Sequence, residues 1–193
     1  MKYQDDKMDF PRRTKNIFII VDTSEKCDSY TIECLRQMLE EILVMIRDIS
    51  SETKEDIITD IAVLEYSSEA KWMYNTPIDV EFFELKELKA GGPSLFGEAC
   101  KELDSKLSIT NGYMTNAGGH YPPLILLFSN TSSHDDYTLH LTKLKQNSWF
   151  RIAKKIGVLI GSNADIEMMS QFTGKPEAII RTHQIKSFIK NIL

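Results

Sequence analysis

Cysteine is scarce in this sequence: Cys27, Cys34 and Cys100 are the only three among 193 residues, and none falls in a CxxC or Cys/His spacing. That shortage argues against a disulfide framework and against a zinc site of the usual spacing, and three free thiols fit a reducing, cytoplasmic setting. Cys100 sits in an apolar helical pattern, where a free thiol packs as a small hydrophobe. Long hydrophobic runs are missing too. No apolar run exceeds residues 124–128, far short of the ~20 residues that span a bilayer as a helix. Residues 1–13 lack the apolar centre of a signal peptide. Basic charge is in deficit, with 23 Lys and Arg against 28 Asp and Glu and a net charge of −5. Without a Lys/Arg stripe to displace phosphate counterions, nucleic acid is not an expected partner, and neither is a membrane.

What remains is the composition of a globular domain, 42% hydrophobic and 26% charged. A chain of this length buries roughly 70% of its unfolded surface and needs no metal staple. One domain is expected at residues 16–193, after a polar tail at 1–15.

Strand-like and helix-like segments alternate, which predicts an α/β domain: an open, doubly wound, Rossmann-like sheet, six-stranded and mostly parallel, with one antiparallel edge strand and helices on both faces. Residues 16–21 and 124–128 are apolar runs of the kind buried on both sides. Residues 30–49 carry Ile32, Leu35, Leu39, Ile42, Leu43 and Ile46 at helical period. Residues 57–66 and 70–74 are too close for a crossover and read as an antiparallel hairpin. Residues 82–88 suggest a helical turn, and 95–107 a helix. Residues 111–121 form a glycine- and asparagine-rich loop without a core pattern. A helix at 135–146 carries a candidate capping box, Ser132 with Asp135 or Ser133 with Asp136. A strand at 152–160, a helix at 165–172, a strand at 178–181 and a helix at 184–193 complete the chain.

Ligands of open parallel sheets gather beyond the carboxyl ends of the strands. Three polar segments stand there: Asp22-Thr23-Ser24-Glu25-Lys26, Gly91-Gly92-Pro93-Ser94-Leu95 and Ser129-Asn130-Thr131. In order and spacing they resemble the von Willebrand factor A family, and within it the small bacterial TerY-type domains of tellurite-resistance and stress operons. The resemblance runs from Asn16 to Leu193. It implies a metal-ion-dependent adhesion site built from Asp-x-Ser-x-Ser after the first strand, a Thr in a Gly-Gly-Thr loop and an Asp after the fourth strand.

Against that pattern, Asp22 and Ser24 are kept, Lys26 replaces the second Ser, Pro93 stands at the Thr position with Ser94 beside it, and Asn130 replaces the second Asp. Mg²⁺ needs hard oxygen ligands and carboxylate charge. The expectation is therefore a degenerate site without metal or other cofactor, with the Lys26 ammonium in the old cation position, neutralising Asp22. Alternatives stay open: Ser94 supplies a hydroxyl through a shifted loop, or Lys26 turns to solvent and Asp22, Ser24, Asn130 and water hold a weak Mg²⁺. A structural reading, preferred to metal binding, has Asp22 and Ser24 bond backbone amides at the strand-to-helix turn.

The remaining chemistry-bearing residues carry less. His134, Asp135, Asp136 and His140 lack the spacing that puts two imidazoles on one helical face, and the carboxylates suit a helix start. His120 and His183 have no partner in view. Ser24 and Ser129 lie in no Gly-x-Ser-x-Gly elbow, and no P-loop is present. Trp72, Tyr74, Phe82 and Phe83 form an aromatic group of core or interface type. Tyr113, Met114, His120 and Tyr121 would extend a recognition surface if their loop stands above the site. The resemblance implies a protein-binding adaptor or scaffold, not an enzyme, through a face made by residues 22–30, 91–97, 111–121 and 129–136. A Mg²⁺-dependent adhesion module, or less favourably a metal-assisted hydrolase, are the alternatives.

Overall fold

The computed structural model describes residues 12–53, 56–115 and 117–192. The tail predicted at 1–15 therefore lies mostly outside the described residues. β1 (Arg13–Asp22) begins ahead of its apolar stretch, because its ladder to β2 (Ile57–Tyr66) starts at Arg13↔Ile57 and runs to Asp22↔Tyr66. The period of two in β1 sends Ile17, Ile19 and Val21 to one face and Phe18 and Ile20 to the other. Both faces are covered, which is why the run is continuously apolar.

On the first face lie α1 (Ser29–Thr53), which buries Leu35, Leu39, Ile42 and Ile46, and α6 (Ile185–Lys190), which buries Ile185 and Ile189. On the second lie α2 (Phe96–Lys106), α3 (Thr138–Gln146), α4 (Ser148–Ile152) and α5 (Ile166–Thr173). Asn147 caps α4 through its side-chain oxygen, and Asp165 caps α5.

The other strands are β3 (Ala70–Trp72), β4 (Ile78–Asp79), β5 (Leu124–Ser129), β6 (Lys154–Leu159) and β7 (Ile179–Arg181). The sheet order is β3-β2-β1-β5-β6-β7, parallel from β2 through β7. The predicted antiparallel edge strand is present but broken in two: β3 pairs with the end of β2 and β4 with Asp60 and Ile61. Strand order reverses between β1 and β5, so the loops leaving these neighbours diverge and open a crevice at their carboxyl ends.

Three predicted features differ. Residues 82–88 form no helical turn, because Arg47 Nε and Nη2 donate to the carbonyls of Val80 (2.9 Å) and Phe83 (3.1 Å), groups a helix would have bonded internally. The aromatic group splits. Trp72 packs with Phe18 and Tyr113, Tyr74 packs on Phe83, and Phe82 is 78% exposed. The loop at 111–121 does contribute to the core, since Met114 is fully buried and Tyr113 stacks on Phe18. This loop precedes β5 and so lies at the amino end of the sheet, where Tyr121 N–H donates to Thr14 O and the His120 ring pairs with Asn16 Nδ2 at 2.9 Å. It is at the pole opposite Asp22 and adds nothing to the face above it.

Candidate functional site

Asp22 is the last residue of β1 and shares the side of the sheet that carries Phe18 and Ile20. Its side chain consequently enters the layer beneath α2 and is fully buried. Oδ1 accepts the Ser24 N–H at 3.0 Å, and Oδ2 accepts the Ser94 hydroxyl at 3.3 Å. Burial raises the carboxyl above its ordinary range, opposed by hydrogen bonds from Ser24, the Asn130 backbone and Ser94. No cation contributes.

Lys26 does not occupy the pocket. Cys27 N–H donates to Ser24 O at 2.9 Å and closes a turn with Glu25 and Lys26 at its corner, both exposed. Lys26 makes no ion pair with Asp22 among the described residues. The expected neutralisation is therefore absent: the turn geometry carries the ammonium outward.

The hydroxyl beside Asp22 belongs to Ser94, which is fully buried, whereas Pro93 is half-buried and offers none. Gly92 makes this approach possible. Its φ of +72° suits glycine, and a Cβ there would meet Ser68 Oγ at 2.9 Å. Its carbonyl accepts Glu25 N–H at 2.8 Å, and Gly91 N–H donates to Thr23 O at 3.0 Å.

Asn130 joins the site only through its backbone. Its side-chain amide donates to Lys26 O at 2.9 Å and to Cys27 Sγ at 3.3 Å, tying the loop after β5 to the loop after β1.

Residues 133–135 hold the loop after β5 to the start of α2. His134 N–H donates to Ser94 O at 2.7 Å, while His134 Nδ1 accepts from Ser94 N–H at 3.2 Å. Phe96 N–H donates to Ser133 Oγ at 3.0 Å, and Gly97 N–H to Asp135 Oδ2 at 3.0 Å. The predicted capping box thus does not cap its own helix. Ser133 and Asp135 cap α2 instead, and only Asp136 serves the start of α3, accepting Thr138 N–H at 3.0 Å. A Cβ at Gly97 would stand 2.5 Å from Asp135 Oδ2, so glycine is what admits the carboxylate. No signal within 130–140 announces this cap, because the helix it serves lies some forty residues earlier.

Among the described residues, two buried hydroxyls, Ser24 Oγ and Tyr66 Oη, reach no partner in hydrogen-bonding geometry. The Tyr66 hydroxyl is pushed well above its usual value by burial and by Asp22. Ser129 Oγ donates to Thr131 O at 3.1 Å. The Cys27 thiol is pushed up to about 11, mainly by burial and next by Asp22, and Cys100 is higher still. Among the described residues no group of three or more His, Cys, Asp or Glu is placed to hold a metal, and no helix is long and apolar enough to cross a membrane.

No protein-family model matches the sequence, and no curated protein sequence does. Solved structures do match. A von Willebrand factor type A structure from Catenulispora acidiphila matches with a TM-score of 0.64 at 14% identity, over 93% of this chain and 42% of that one. This is the von Willebrand factor A fold. The ArnB paralog VWA2 from Sulfolobus acidocaldarius gives 0.62 at 13% identity, over 93% and 45%. Proximal thread matrix protein 1 from the mussel byssus, with a zinc-occupied MIDAS motif, gives 0.61 at 11%, over 94% and 47%. The chain spans less than half the length of each of these structures.

The donors at the crevice decide how well a divalent ion fits. Asp22, Ser24 and Ser94 bring together three fully buried side chains, of which only Asp22 is a carboxylate. Asn130 turns its Nδ2 to the loop after β1, with its Oδ1 on the side of Gly161, and Lys26 faces solvent. A near-octahedral Mg²⁺ shell with offsetting carboxylate charge is not met by this set.

Proposed function

We propose that this domain is a non-enzymatic protein-recognition module, an adaptor or scaffold acting in the cytoplasm, whose binding face is held in shape by hydrogen bonds and not by a metal. One observation carries the reading: the loops after β1, before α2 and after β5 are bonded directly to one another through Ser94, Asn130, Ser133, His134 and Asp135. The resemblance to TerY-type domains points this role toward a bacterial stress-response system. A hydrolase is disfavoured because neither Ser24 nor Ser129 has a base bonded to its hydroxyl, and the Cys27 and Cys100 thiols are buried and held protonated.

The second reading, a Mg²⁺-dependent module, is favoured by the unpartnered Ser24 hydroxyl beside a buried carboxylate that no cation compensates. Affinity capture in EDTA and in Mg²⁺, with the parent and with Lys26→Glu, separates the two. The metal-free reading expects the same captured protein in both buffers and its loss on reversing the exposed charge at Lys26. Capture only in Mg²⁺ would overturn it, as would phosphatase or esterase turnover that vanishes in Asp22→Ala.

A further inference from the structure

At the opposite pole, where β6 begins, four cations line one cavity of about 340 Å³. They arrive from three segments: Arg151 from α4, Lys154 and Lys155 from the start of β6, and Lys175 from the turn after α5. Glu177 is the one carboxylate in the lining. None of the four cations forms an ion pair among the described residues, in a chain whose net charge is −5.

Lys155 is held in place. Its Nζ donates to Phe150 O at 2.7 Å and Ala153 O at 3.1 Å and lies 4.7 Å from the centre of the Phe150 ring. An ammonium has three donors, so one remains beyond these two carbonyls. Burial, and then the neighbouring charge of Lys175, hold this ammonium below its ordinary value. Lys155 and Lys175 repel one another with Glu177 as the one carboxylate in the lining, and an anion seated between the two ammoniums offsets that cost.

We propose that this cavity binds a phosphoryl group, a compact oxyanion of at least two negative charges. Its shape favours that ligand over an acidic peptide. Arg151, Lys155 and Lys175 line one void, and Arg151 adds a planar fork suited to paired oxygens. The site is distinct from the recognition face and does not depend on how that face works.

Calorimetric titration of the full chain with inorganic pyrophosphate, at constant ionic strength, tests the proposal. One saturable site is expected, weakened about tenfold or more by Arg151→Ala or Lys175→Ala, the scale of a lost charge-assisted hydrogen bond. Lys143→Ala, on α3, should leave it unchanged. Arg151 and Lys175 are exposed, so the fold should survive, and thermal melts of each variant confirm this before titration. Cosedimentation with phosphatidic acid vesicles, dependent on the same residues, assigns the phosphoryl to a lipid; pyrophosphate binding without cosedimentation assigns it to a soluble ligand. No saturable heat in the millimolar range would overturn the proposal. So would variants that bind as the parent does, or displacement of pyrophosphate by a lower concentration of hexaglutamate.

Discussion

At the scale of single residues, the site turns on where two charges point. Asp22 is directed inward by strand alternation, and Lys26 outward by its place at the corner of a turn. Their identities can be read from the sequence; their orientations cannot, because the Ser24 to Cys27 hydrogen bond that forms the corner leaves no pattern in residue type. The hydroxyl beside Asp22 was open for the same reason. One residue of loop shift, permitted by the positive φ of Gly92, replaces Pro93 with Ser94.

These orientations make a mutational prediction. If Lys26 neutralised a buried Asp22, removing it would cost about 3–5 kcal/mol. With Lys26 exposed, Lys26→Ala should change stability by no more than about 0.5 kcal/mol.

Asp22 also shapes the pH dependence. A carboxyl raised by folding keeps its proton longer in the folded than in the unfolded chain. Its contribution is therefore most favourable in acid and is lost as pH rises from the unfolded range, ~3.9, through the raised folded value. Asp60, pushed up to about 6 by burial and by Asp79 opposite it on β4, acts in the same direction. Asp22→Asn should flatten the fall in stability with pH while leaving the share that belongs to Asp60. Urea unfolding at several pH values measures this, and a slope equal to the parent's would place a compensating cation near Asp22 after all.

At the scale of elements, what was readable and what was not divides along one line. Strands buried on both faces advertise themselves as apolar runs, and β1 and β5 lie where those runs are. Amphipathic α1 follows from its period, and Asp165 caps the helix it immediately precedes. Features set by partners distant in sequence are hidden. Ser133 and Asp135 resemble the start of their own helix yet cap α2. The loop at 111–121 has a loop-like composition yet buries Met114. Its misplacement on the recognition face is a matter of topology, since a loop entering a parallel strand lies at the end away from the crevice.

The cap is testable on its own. Asp135→Ala should cost about 1 kcal/mol, the value of a helix N-cap, and should speed amide exchange at Gly97 and Phe96 ahead of the rest of α2. Unchanged exchange there would mean that the loop after β5 does not hold α2.

At the scale of the whole molecule, a sheet packed on both faces leaves chemistry to its two ends. The carboxyl end carries a buried carboxylate beneath three mutually bonded loops, and the amino end carries a cavity with four cationic residues in its lining. In the adhesion-site pattern a divalent ion would draw the same three loops together. Here Ser94, Asn130 and residues 133–135 connect them directly. Titration of the full chain with Mg²⁺ and Mn²⁺ in a calorimeter addresses that difference most directly. Loops joined by hydrogen bonds alone predict no saturable heat up to millimolar ion. Stoichiometric binding at millimolar or tighter affinity, abolished by Ser24→Ala, would contradict it.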